Sequence, residues 1–183
     1  MILLTTSRRP TRRIRTLCHD FAHSVPNIVR INRGKLNLDG IAERVVELNA
    51  DRIVIIDRWK GGPGKIKLFR MEPTSLFSVP PLMYVAGVRL RREFDAKTKH
   101  VRSLVVTTER ENPPETVRIA ERLSDFFNLS MLSIDEAAAK YQASMHVSLD
   151  GSRRTQITFM FLPQMVEIGP RISISKLVWE VPT

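Results

Sequence analysis

Apolar residues fill positions 2–4 and then recur at Ile14, Leu17, Cys18 and Phe21, so a continuous run gives way to helical spacing. The first pattern predicts a short buried strand over 2–6, the second a helix with one buried face. A short strand is expected over 29–31. Asn37 then stands where a helix can be capped, ahead of a stripe formed by Ile41, Val45 and Leu48. Residues 52–57, RIVIID, are β-branched enough for a buried strand. Gly61-Gly62-Pro63-Gly64 reads as a turn into 65–70, where Lys65, Lys67 and Phe69 alternate with Ile66 and Leu68.

The second half repeats this order. SLVVTTER predicts a strand, and Asn112 before Pro113-Pro114 opens a helix buried through Ile119, Leu123, Phe126 and Phe127. Ser133 with Glu136 forms a capping box for a further helix, and MHVSLDGSRRTQITFMF reads as two strands around a turn. Leu4-Thr5-Thr6 corresponds to Val106-Thr107-Thr108, Leu38-Asp39 to Ile134-Asp135, Ile56-Asp57 to Leu149-Asp150, and Gly87 to Gly169. Anchors kept in one order point to an internal duplication. Alternating strands and helices with added hairpins predict an α/β class: two pseudo-repeated α/β units with mixed sheets.

Length and composition fit a globular chain. The 183 residues are enough to bury roughly two thirds of the unfolded surface. The single cysteine, Cys18, excludes an internal disulfide framework and favours a reducing compartment. No apolar run is long enough to cross a bilayer as a helix. SRRPTRR is followed by LCHDFAH rather than the apolar stretch that a twin-arginine export signal needs, so a cytoplasmic protein is expected.

Charge changes the picture once it is divided. Residues 1–92 carry 18 Lys and Arg against 7 Asp and Glu, a net +11, whereas residues 93–183 carry 11 against 12, a net −1. The basic excess sits wholly in the first half, which points to one polyanion-binding face. Its densest part is TTSRRPTRRIR, residues 5–15, in the expected turn from first strand to first helix. A helix N-terminus already favours anions, and guanidinium groups bind phosphate bidentately. Arg8, Arg9, Arg12, Arg13 and Arg15 repel one another unless an anion lies among them. The matching turn of the second half, TTERENPPE, is acidic, so the fold itself does not demand the arginines.

TTSRRPTRRIR, then PNIVRINRGK at 26–35, then RIVIIDRWKGGPGKIKLFRMEP at 52–73, resemble in that order the Brix domain, a family of ribosome biogenesis factors. The resemblance covers essentially the whole chain, 1–183, as one domain with a basic half-unit at 1–92 and a near-neutral one at 93–183. It implies a duplicated α/β fold similar to the anticodon-binding domains of class II aminoacyl-tRNA synthetases. It also implies binding to ribosomal RNA or its precursor during rRNA processing and subunit assembly, with assembly proteins as further partners. Eukaryotic members usually carry extra tails, and this chain is similar to the compact archaeal form. The RNA-binding residues expected are Arg8, Arg9, Arg12, Arg13, Arg15, Arg33, Lys35, Arg58, Lys60, Lys65 and Lys67. A monomer without membrane contact is expected.

Other motifs weigh less. His19 and His23 have the i, i+4 spacing of a zinc-protease helix, but the stripe through Ile14, Leu17, Cys18 and Phe21 puts both on the opposite face, and no metal is expected. GGPGK lacks the first glycine of a phosphate loop and carries Ile66 in place of its Ser or Thr. Asp57 and Asp150 end corresponding strands, which fits turn capping. Ser7 has no candidate base beside it, so no catalytic residue and no cofactor are expected. The alternatives to a non-catalytic RNA-binding factor are an RNA-processing enzyme such as a nuclease, and a protein-docking platform using the neutral half. The acidic residues of the basic half, Asp20, Asp39, Glu43, Glu47, Asp51, Asp57 and Glu72, show no clustering of the kind metal-dependent phosphoryl transfer uses.

Overall fold

A computed structural model describes residues 1–60, 62–96 and 100–180. The described residues divide into two compact units, one drawn from residues 1–22, 27–86 and 175–180, the other from residues 23–26 and 87–174.

The first unit opens with β1 (Ile2–Thr6), every residue of it buried, and α1 (Arg12–Ser24). Ile14, Leu17 and Cys18 of α1 are fully buried, and the Cys18 thiol donates to the Thr5 carbonyl. The short β2 (Ile28–Arg30) follows, then α2 (Leu38–Glu47). Asn37 caps α2 by accepting the Gly40 N–H at 2.9 Å, as its position in the sequence predicts. Parallel pairing sets β1 between β2 and β3 (Arg52–Trp59), and β4 (Gly62–Met71) and β5 (Leu76–Arg89) add antiparallel strands. On one face Leu3, Ile53, Ile55 and Phe69 pack beneath Ile41 and Val45 of α2. Phe69, expected to alternate with the buried residues, is itself buried, because α2 covers that face too.

The β3–β4 hairpin differs from expectation. β3 runs two residues past 57 and Trp59 pairs with Gly62, so the chain turns at Lys60, whose φ is +48°. Gly61 lies outside the described residues. Gly62, Pro63 and Gly64 belong to β4 rather than to a turn. The register passes from Asp57 opposite Lys65 to Arg58 opposite Pro63, which leaves Gly64 as the extra residue of a bulge. A Cβ on Gly64 would lie 1.9 Å from Trp59 Cβ, so only glycine fits.

In the second unit, β6 (Leu104–Thr108) lies between the parallel strands β7 (Met131–Leu132) and β8 (Ala143–Leu149), and β9 (Thr155–Phe161) pairs antiparallel with β8. The strands β10 (Val166–Glu167) and β11 (Arg171–Val178) both pair with β9. The helix α3 (Pro114–Phe127) packs on β6 and β8 and buries Ile119, Leu123, Phe126 and Phe127. Asn112 does not cap it. The cap position is Pro113, and the Asn112 amide instead donates to Thr108 Oγ1 at 3.1 Å. The Ser133–Glu136 capping box opens α4 (Ile134–Ala138) as expected.

Both units therefore open in the order strand, helix, strand, helix, strand, strand, with the first strand between two parallel neighbours and the two closing strands of that series antiparallel. Gly87 and Gly169 do not match within this order. Gly87 lies inside β5 with open space around it, whereas Gly169 adopts φ +68° beside the Phe94 ring. Among the described residues no helix is long and apolar enough to cross a membrane.

Candidate nucleic-acid interface

The three parallel strands of the first unit end at one edge of their sheet, and each delivers cations there. β1 runs into Ser7, whose N–H donates to the Ile56 carbonyl of β3 at 3.1 Å, and then into the exposed Arg8 and Arg9. Thr11 accepts the Ile14 N–H through its Oγ1 at 3.3 Å and opens α1, with Arg12 and Arg13 exposed in the first turn. No acid stands in that turn, so the positive end of the helix is uncompensated. Arg15 donates to the Pro10 carbonyl at 3.2 Å and so folds its side chain back along the loop.

The β2 exit is tied to β1. Ile31 N–H donates to the Leu4 carbonyl at 2.9 Å and Thr5 Oγ1 to the Ile31 carbonyl at 3.0 Å. Arg33 is held by its Nε bond to the Leu36 carbonyl at 2.7 Å, and Gly34 turns the loop at φ +53°. Burial lowers the Arg33 pKa from its ordinary value and the neighbouring Arg8 lowers it further, while Asp57 opposes both. One hollow is lined by Arg8, Arg9, Gly34 and Lys35. A second shares Arg8 and Gly34 with it and adds Arg15, Arg30 and Arg33. An anion entering either would be surrounded by positive charge on a backbone fixed by the sheet.

β3 continues into the hairpin, where Arg58 and Lys60 are exposed. Lys67 forms an ion pair with Asp57 at 2.5 Å. Lys65 places its ammonium 3.8 Å from the centre of the Trp59 ring and 5.1 Å from that of Tyr84. The structure thus gathers Arg8, Arg9, Arg15, Arg33 and Lys35 around the hollows, and sets Arg58, Lys60, Lys65 and Lys67 on the hairpin. Arg12 and Arg13 do not line the hollows. Asp57 does not cap a turn, since β3 runs past it and its carboxylate is engaged by Lys67.

Two features escaped the sequence reading. Arg30 lines the second hollow, but the strand expected over 29–31 put it in mid-strand, and only the observed end of β2 at Arg30 brings it to this edge. Trp59 carries no periodic signal, and only the β4–β5 pairing, with Tyr84 opposite Lys65, brings Tyr84 near it.

The second unit differs at the corresponding strand ends. Glu109, Arg110 and Glu111 are exposed beyond β6, and Asp150 accepts the N–H groups of Ser152 and Arg154 at 2.8 and 2.9 Å, which caps the turn as expected. Those backbone hydrogen bonds, chiefly that from Arg154, lower the Asp150 pKa. His146 is buried against Thr107, Nδ1 to Oγ1 at 2.9 Å, and burial lowers its pKa against the opposing pull of Glu109. His23 stacks on His100 with ring centres 4.1 Å apart, while His19 is exposed. Among the described residues no three His, Cys, Asp or Glu side chains converge as metal ligands would.

No family model matches this chain. A relative from Aeropyrum pernix, described as a probable Brix domain-containing ribosomal biogenesis protein, is 30% identical over 180 residues, 94% of each chain. The chain belongs to the Brix-domain family. A further Brix relative from Pyrococcus furiosus is 25% identical over 98% of this chain and 86% of its own. The match to the Pyrococcus horikoshii relative, 34% identical over 112 residues, spans 59% of this chain and about half, 50%, of that one. The Brix fold is shared with a crystal structure of a probable ribosomal biogenesis protein from Aeropyrum pernix, with a TM-score of 0.78 and 24% identity over 97% of this chain and 98% of that one. An archaeal Imp4-like protein matches with a TM-score of 0.66 and 19% identity over 97% and 99%.

Proposed function

We propose that this Brix-family protein is a non-catalytic factor of ribosome biogenesis that binds ribosomal RNA or its precursor, in the cytoplasm, as a monomer open to assembly-protein partners. The observation that carries this reading is the gathering of Arg8, Arg9, Arg15, Arg30, Arg33 and Lys35 around open hollows at the ends of β1 and β2. The matching loops of the second unit present Glu109 and Glu111 instead. Phosphate is the ligand that best fits clustered guanidinium forks, and phosphate contacts position RNA without reading its bases. Arg12, Arg13, Arg58, Lys60, Lys65 and Lys67 extend the cationic surface along α1 and the hairpin.

The test changes Arg8, Arg9, Arg12 and Arg13 together to Gln and measures binding to an rRNA fragment by fluorescence anisotropy. All four are exposed, so little loss of melting temperature is expected while affinity falls sharply. Glu109 and Glu111 changed to Gln should leave binding nearly unaltered. For the wild type, log K should fall with log salt by about 0.7 per phosphate contacted on a single strand. RNA incubated with purified protein and magnesium should stay intact. A flat salt response overturns the phosphate reading, unfolding of the arginine variant makes those side chains structural, and cleavage by purified protein establishes the nuclease alternative.

A further inference from the structure

We propose that Trp59 is a stacking platform for an unpaired base, so that the basic edge takes single-stranded rather than duplex RNA; this rests on the RNA-binding reading above. Trp59 stands next to the hairpin turn with 45% of its surface exposed, in a strand whose residues 53–56 are fully covered. Close to half of a large aromatic ring is thus accessible beside the turn. Its position is nonetheless firmly set. The glycine bulge at Gly64 lets the backbone of β4 press against Trp59 Cβ, where any side chain would collide. Lys65 covers one face of the ring at 3.8 Å, and Tyr84 meets it at 81° with centres 6.0 Å apart. Lys65 and the Tyr84 edge cover only part of the indole, and 45% of the Trp59 surface stays accessible beside them.

Charge supplies the second half of the site. Arg58 and Lys60 flank Trp59 in the chain and are exposed, and Lys65 holds its ammonium beside the ring. A nucleotide whose base lay on the indole would bring its phosphates within reach of these cations. Bases inside a duplex are already stacked and cannot present a face, whereas an unpaired base can. Aromatic platforms among cations bind single strands in this way with little preference for sequence.

The test uses a fluorescein-labelled ten-nucleotide oligouridylate, the same backbone with its bases removed, and a duplex of equal length. Wild-type protein should bind the oligouridylate about tenfold more tightly than the abasic strand, since stacking on one aromatic side chain is of that size. Trp59→Ala should erase that difference, and Trp59→Phe should keep most of it. Oligouridylate, but not the abasic strand, should quench wild-type tryptophan fluorescence, and Trp59→Phe, which retains only Trp179, should show no quenching. This readout needs no alanine variant and stands if that variant fails to fold. Equal binding of oligouridylate and abasic strand overturns the stacking site while leaving the phosphate reading intact. Unchanged RNA binding by Trp59→Ala, as a protein-docking role for the indole would give, overturns it as well. Failure of all three probes to bind overturns both readings.

Discussion

Cys18 shows how far a single residue's environment can move its chemistry. It is fully buried, and burial pushes its thiol up from 9.0 to about 12, with Arg30 pulling weakly in the other direction. The native state therefore holds this proton more tightly than the unfolded chain does. Its contribution to stability is complete below pH 9.0 and is lost as pH rises towards about 12. A thiol reagent at about pH 8 should not label the folded protein and should label it on unfolding. Over the alkaline range the unfolding free energy should fall more steeply for wild type than for Cys18→Ala; parallel curves or rapid native labelling would refute the assignment. The arginines of residues 8–15 were legible in the sequence because charge density needs no tertiary information. Arg30 was not, since one arginine among apolar neighbours becomes notable only when β1 and β2 are paired.

At the scale of elements, the β3–β4 hairpin shows where local signals mislead. Gly-Gly-Pro-Gly has turn composition, yet Gly62 to Gly64 lie in a strand, and the reason for Gly64 is contact with Trp59 across the ladder. Gly64→Ala should cost about 2 kcal/mol through the forced displacement of β3 or β4, read as a lower melting temperature. A variant as stable as wild type would show that the bulge has room to relax. Helix starts were more legible. Asn37 and the Ser133–Glu136 pair act within one turn of chain, so their spacing alone specifies them. Asn112 failed as a cap because its amide is drawn to Thr108, and that attraction depends on the loop leaving β6.

For the whole molecule, alternating strand and helix patterns were enough to give the α/β class and the order of elements in both halves. The division into units was less visible. β5 belongs to the first unit up to Ala86 and to the second from Gly87, and β11 crosses back after Ile174. A continuous strand carries no boundary signal, so a cut near residue 92 read from charge could not find this exchange. Charge density did mark the loops after β1, β2 and β3, which are basic, whereas the loop after β6 carries Glu109 and Glu111.

Asp57 gives that face a kinetic character. Its carboxylate is paired with Lys67 and also feels Arg33, so part of the cationic edge already holds an internal anion. If this face takes RNA as proposed, an arriving phosphate must displace the carboxylate, and a departing one leaves cations that it can reclaim at once. Release from the proposed RNA contact would thereby be helped by a competitor that never diffuses away. Asp57→Asn should lengthen the residence time on RNA by about threefold, with a smaller change in association rate, in a stopped-flow chase against unlabelled RNA. Release as fast as wild type would mean that Asp57 holds Lys67 in place and does not compete for it.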